Sequence, residues 1–225
     1  MRVSAVLFAL AAAAAAQTTP APAPTPAPPA PVGPDAVWTP PDGFLAAMHK
    51  ACDKRSGDAF GACFVAQMEK AGASPAAVAF ARRTGNLGYL RQFRSTGIVA
   101  IACATYPFRA NENGVCFLVN GEPPMLDVDD PKLIDTAELL KNRDYAAIAK
   151  AYPKVAIFPG RRFGDMAAMP AQLHNGGQRF RVDYSLQDGC HACAHLGTMR
   201  MDFDFDADGK FAGTKVDAVR PLRLH

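Results

Sequence analysis

The chain has 225 residues, 49% of them apolar, and 24 Lys and Arg stand against 21 Asp and Glu for a formal charge of +3. A balance so near neutral gives no electrostatic footprint for nucleic acid or for a strongly acidic partner. Six cysteines are an even count, which in an oxidising compartment points to disulfides.

Met1 and Arg2 supply a positive end, and Val3 to Ala16 form an apolar run of signal-peptide length with small residues at Ala14 and Ala16. Residues 1–16 therefore read as a signal peptide cleaved after Ala16. The run is shorter than the ~20 residues a membrane span needs, so the chain reads as exported to the periplasm or beyond and not membrane-spanning. Residues 17–37 follow as a Pro/Ala-rich spacer, with eight prolines in TTPAPAPTPAPPAPVGP. Such a segment favours extended polyproline II, roughly 50 Å in reach. From residue 38 to 225 the length suits one domain with its own core.

In FLAAMHKAC (44–52), Phe44, Leu45, Met48 and Cys52 form a helical stripe ending near Ser56-Gly57. Phe60, Cys63, Phe64 and Met68 form a second, stopped by Gly72, so the two make a helical hairpin. Cys52 and Cys63 lie symmetrically about the Gly57 turn, where a bridge can form. Ser74 caps a third helix with Pro75 at its first position, and its pattern continues through Leu87 and Leu90 to Phe93.

Beyond Gly97 the chain turns β-rich. IVAIACATY and VCFLVNG read as a hairpin joined by Pro107 to Gly114, with Cys103 and Cys116 equidistant from its midpoint. Asn120-Gly121 is a further hairpin signal. Asp130-Pro131 opens a helix with the stripe Leu133, Ile134, Ala137 and Leu140, and Asp144 opens another with Tyr145, Ile148 and Tyr152. Two long strands then alternate strictly. Phe180, Val182, Tyr184 and Leu186 interleave with Arg179, Arg181, Asp183 and Ser185; Met199, Met201, Phe203 and Phe205 interleave with Arg200, Asp202, Asp204 and Asp206. One face is packed and the other wet, with Arg and Asp rows able to pair across strands. A third strand runs from about Phe211 to Val219. The fold class is α+β: a helical hairpin plus third helix, then an antiparallel sheet packed on one face by helices.

GCHACAH (189–195) falls at the tip between the two long strands. Haem attachment needs His directly after the second Cys of C-x-x-C; Ala194 stands there and His195 comes one residue late. Thiol-disulfide exchange by Cys190 and Cys193, with His191 tuning the thiolate, is the redox alternative, although a strand follows where a helix N-terminus would stabilise a thiolate. Zinc held by Cys190, Cys193 and His195 is the metal alternative, with His49, His174 and His225 available as further ligands. The reading preferred here is a disulfide between Cys190 and Cys193. Chain entropy assigns it ~2 kcal/mol, against ~3 for each of the 52/63 and 103/116 loops.

Asp204, Asp206, Asp208 and Gly209 match part of a calcium loop, but Lys215 occupies the position of the bidentate glutamate; a β-turn at DADG explains the same residues. Arg82, Arg83, Arg91 and Arg94 read as a solvated helix face, and YPFRANENG (106–114) as a polar hairpin end. GxSxG, HExxH and Walker-type loops are absent. The pattern favours a disulfide-stapled binding or structural module without a cofactor over an enzyme, its partner a protein, glycan or small molecule.

Overall fold

The apolar stripe of FLAAMHKAC winds into α1 (Phe44–Cys52) and its successor into α2 (Gly57–Lys70), and the two bury Phe44, Met48, Phe64 and Met68 together. The computed structural model describes residues 29–85, 87–110, 113–160 and 170–222. The expected signal peptide, most of the proline-rich segment and His225 lie outside them. The Ser74 hydroxyl accepts the Ala77 N–H at 3.0 Å and starts α3 (Pro75–Arg83). The helix expected to run on to Phe93 stops at Arg83, and Tyr89–Arg94 is instead the strand β1. Thr84 bonds back to the Phe80 and Ala81 carbonyls, and Gly85 takes φ +80°, a left-handed helix ending that turns the chain away.

β1 pairs with β2 (Ala100–Thr105), β2 with β3 (Gly114–Val119), and β3 with β4 (Met125–Asp127), all antiparallel. Period two divides the labour of β2. Ala100, Ala102 and Ala104 share a core with Phe80 of α3, while Ile101 faces the opposite core. Small residues on the first face let the helical layer approach closely.

Residues 29–37, read from sequence as the end of the spacer, run against this sheet. Val32 and Ala36 are buried, and the Asn120 carboxamide clamps the Val32 backbone, accepting its N–H at 2.7 Å and donating to its carbonyl at 2.8 Å. The packed unit thus begins before Trp38. A run of Pro and Ala conceals this, because the anchoring group is supplied by a turn nearly ninety residues away.

After a 3-10 turn at Pro131–Leu133 come α4 (Thr136–Lys141) and α5 (Arg143–Ala151). The helix expected from Asp130 starts five residues later because Asp135 is its cap, accepting from Ala137 and Glu138. The shift rotates the stripe: Leu139 is buried and Leu140 is 51% exposed.

A second sheet follows, ordered β5 (Val155–Pro159), β7 (Gln178–Asp188), β8 (His195–Phe205) and β9 (Phe211–Pro221), with β6 (Ala171–Gln172) also on β7. The single sheet read from sequence is therefore two. Phe180, Val182, Leu186, Met201, Phe203 and Phe205 line its inner face. Against them pack Leu139, Tyr145 and Ile148 from α4 and α5, Ile101 and Leu118 from the first sheet, and Val99 from the connection just before β2. The buried Gln178 side chain ties the sheets, accepting from Val99 N–H at 2.9 Å and donating to the Thr96 carbonyl at 2.7 Å.

Six cysteines form three pairs: Cys52–Cys63, Cys103–Cys116 and Cys190–Cys193. The first two lie against the cores and the third is exposed. Among the described residues no helix is long and apolar enough to cross a membrane.

Candidate functional site

The outer face of the second sheet carries the wet side of the alternation in rows. Arg179 holds Asp204 by two contacts of 2.6 Å, and Asp202, only 2% exposed, sits between Arg179 (3.2 Å) and Arg181 (3.3 Å). This end of the face is saturated with its own ion pairs. Asp204 holds Arg179 above its ordinary pKa through that hydrogen bond, so the guanidinium stays charged throughout the physiological range.

Toward the other end the face opens into a cavity of about 490 Å³ over β7, β8 and β9 and the end of β5. Three cross-strand rows build it. Asp183, Arg200 and Ala218 are in register, with Arg200 donating to Asp183 at 2.8 Å. Ser185, Thr198 and Arg220 form the next row. Gln187 and His195 form the last, brought to one face by a bulge after Leu186 that places the extra residue, Leu196, in the interior. Pro159 and Gly160 close one side. A Cβ at Gly160 would stand 2.4 Å from the Asp183 carbonyl, so only glycine lets β5 come this close.

The electrostatics of the two arginines differ. Asp183 satisfies Arg200 and raises its pKa by hydrogen bond and charge, with Asp217 and Asp202 adding to the field. Arg220, exposed, has no carboxylate partner among the described residues. The described residues of the lining therefore offer one committed ion pair, one uncommitted guanidinium, two hydroxyls and an imidazole, beside small apolar surfaces at Pro159 and Ala218.

The GCHACAH tip stands at the rim. Cys193 donates its N–H to the Cys190 carbonyl at 3.0 Å, and Asp188 donates to Ala194 at 3.0 Å, so the tip is a hydrogen-bonded turn. His191 stacks on Phe158 of β5 with ring centroids 5.1 Å apart. The Gln187 carboxamide, oriented to satisfy its neighbours, donates to the carbonyls of Cys190 and His191 at 2.8 and 2.7 Å. Gln187 thus belongs both to the cavity and to the tip.

Other candidates from the sequence are dispersed. Cys190 and Cys193 are bonded to each other, which leaves no thiolate for a metal in this state, and His49 and His174 stand on separate elements, α1 and the turn after β6. Among the described residues no three His, Cys, Asp or Glu side chains gather as a metal site. At DADG, Asp206 accepts the N–H groups of Asp208 and Lys210, a turn contact, while Asp204 is held by Arg179. The basic stretch expected on one helix is split: Arg82 pairs with Glu69 from α3, Arg83 donates to the Ala30 carbonyl, and Arg91 and Arg94 lie on β1. In the 106–114 loop, Arg109 lies 3.7 Å over the Tyr106 ring and Phe108 packs edge-on against Phe60 and Phe64. Those three residues are used internally.

The period-two alternation puts Asp183, Ser185 and Arg200 on a wet face but does not by itself show a cavity. The signal was available in part, since two strands in register bring their polar rows together. Arg220 and Gly160 carried none, because β5 and the end of β9 were not anticipated as walls. Comparison with protein-family models, with characterised proteins and with solved structures found no match.

Proposed function

We propose that this chain is an exported binding module of the cell envelope whose ligand surface is the outer face of β7, β8 and β9. The observation that carries the reading is the cavity of about 490 Å³ on a sheet face that, among the described residues, no helix covers, lined by in-register polar side chains. Small-molecule sites are commonly of this size, with few polar groups fixing orientation. A scaffold of two packed sheets keeps those groups in place. The three disulfides fit an oxidising compartment, as does the apolar leader. A small polar molecule suits the cavity better than a protein partner, because the groups converge inward rather than spread over a flat patch.

The test is a thermal-shift screen of the full chain against sugars, amino acids and organic acids, run beside Thr198→Trp, which fills the cavity from the exposed face. The reading expects at least one compound to raise the melting temperature of the natural chain and to leave the variant unmoved. Equal shifts in both proteins, or none at all, would overturn it.

A second reading is thiol-disulfide exchange at Cys190–Cys193. It is favoured by the exposure of every residue from Gly189 to His195, which leaves the bridge open to an attacking thiolate. A substrate dithiol would become a disulfide as Cys190 and Cys193 become thiols. Equilibration in glutathione buffers checks this: an exchange role requires the pair to be reduced at potentials where the other two bridges persist.

A further inference from the structure

Resting on the binding reading above, we infer that the ligand of this cavity carries an oxyanion and that Arg220 receives it. The first ground is charge. Four arginines and four aspartates share the outer face, but they are not distributed evenly. Arg179 and Arg181 are engaged by Asp202 and Asp204, and Arg200 by Asp183. Asp217, exposed where the β8–β9 register shifts, adds its field to Arg179 and Arg200. Among the described residues that line the cavity, Arg220 is the cation left over.

The second ground is position. Arg220 is in register with Thr198, which is in register with Ser185. A guanidinium is thus followed across the sheet by two hydroxyls, all donors able to converge on one group. Arginine presents paired N–H donors in a plane that matches carboxylate and phosphate oxygens. The third ground is what surrounds the row. Asp183 is neutralised by Arg200 at 2.8 Å and so does not repel an incoming anion as a free carboxylate would. His195 stands at the rim. Pro159 and Ala218 offer apolar contact for the body of the molecule. The occupant that fits is a small organic acid or phosphate ester, held at its charged end by Arg220, Thr198 and Ser185.

The experiment is calorimetric titration of the full chain with succinate, with inorganic phosphate and with glucose, at an ionic strength held constant with sodium chloride. Saturable binding of succinate or phosphate is expected, weakened about tenfold or more in Arg220→Gln, as loss of a charge-assisted bond implies. Arg91→Gln, on the other sheet, is expected to bind as the natural chain does. Succinate alone binding assigns the site to carboxylates, and phosphate alone assigns it to phosphoryl groups. Anion binding that is unchanged in Arg220→Gln would overturn the inference. Saturable glucose binding without anion binding would overturn it while leaving the binding module standing. No binding by any of the three overturns the inference, and the screen on Thr198→Trp then decides the broader reading separately.

Discussion

Cys193 donates its backbone N–H to the carbonyl of Cys190 at 3.0 Å, so the turn that their disulfide spans is already closed by a hydrogen bond. The bridge adds little that the hairpin lacks. Replacing both residues by serine is expected to lower stability by no more than ~2 kcal/mol, whereas removing Cys52–Cys63 or Cys103–Cys116 costs ~3 kcal/mol each. Urea denaturation of the three double variants checks the order. A loss at the tip equal to that at either buried bridge would contradict it.

Gln178 is the buried link between the two sheets. Gln178→Ala leaves the Val99 N–H and the Thr96 carbonyl short of a partner and opens a void, and an unsatisfied buried group costs about 1–3 kcal/mol each. The expected loss is at least ~2 kcal/mol in the same assay. A change under ~0.5 kcal/mol would mean that the link is dispensable.

Asp202 is buried beneath two partly exposed arginines. Asp202→Ala removes charge-assisted contacts to Arg179 and Arg181, yet Arg179 keeps Asp204 and both guanidinium groups reach solvent. The expected cost is about 1–3 kcal/mol, below the value for a fully buried pair. High salt is expected to change it little, because the carboxylate lies out of reach of screening ions. Denaturation at low and high sodium chloride tests both points.

Burial raises the pKa of Tyr145 above 10.0, and burial likewise raises Tyr106 despite the opposing influence of Thr84 and Arg109. A raised folded-state pKa means that the unfolded chain loses its protons first. Stability from this source is complete below pH 10 and falls as pH rises through the folded-state values. Thermal melts between pH 8 and pH 11.5 are expected to show that decline at the alkaline end, and Tyr145→Phe to show a shallower one. An identical decline in the variant would remove Tyr145 from the account.

What could be read from the residues was local. Strict alternation in 179–186 and 199–206 encodes both the strands and the inward face, and the Arg and Asp rows encode their own pairing. Ser74-Pro75 encodes a helix start that needs no tertiary help. Spacing about the Gly57 turn and across the 103/116 hairpin selects the cysteine pairs that the structure holds at bonding distance. Features decided by tertiary contact were not legible. Leu87, Leu90 and Phe93 keep a helical spacing, yet Leu90 is taken by a strand whose carbonyl receives the Trp38 N–H. Val155–Pro159 lacks clean alternation because it is an edge strand half-buried along its whole length. The cavity depends on these two circumstances, an edge strand and a long β9, and so it emerged only with the fold.

The most direct test of the central claim is a map of amide shifts for the full chain titrated with the small polar compound that most raises its melting temperature. The account predicts changes concentrated at Asp183, Ser185, Gln187, Thr198, Arg200 and Arg220. Changes centred instead on the apolar groove of Ile148, Tyr152, Leu196 and Leu222, with the outer face silent, would contradict it.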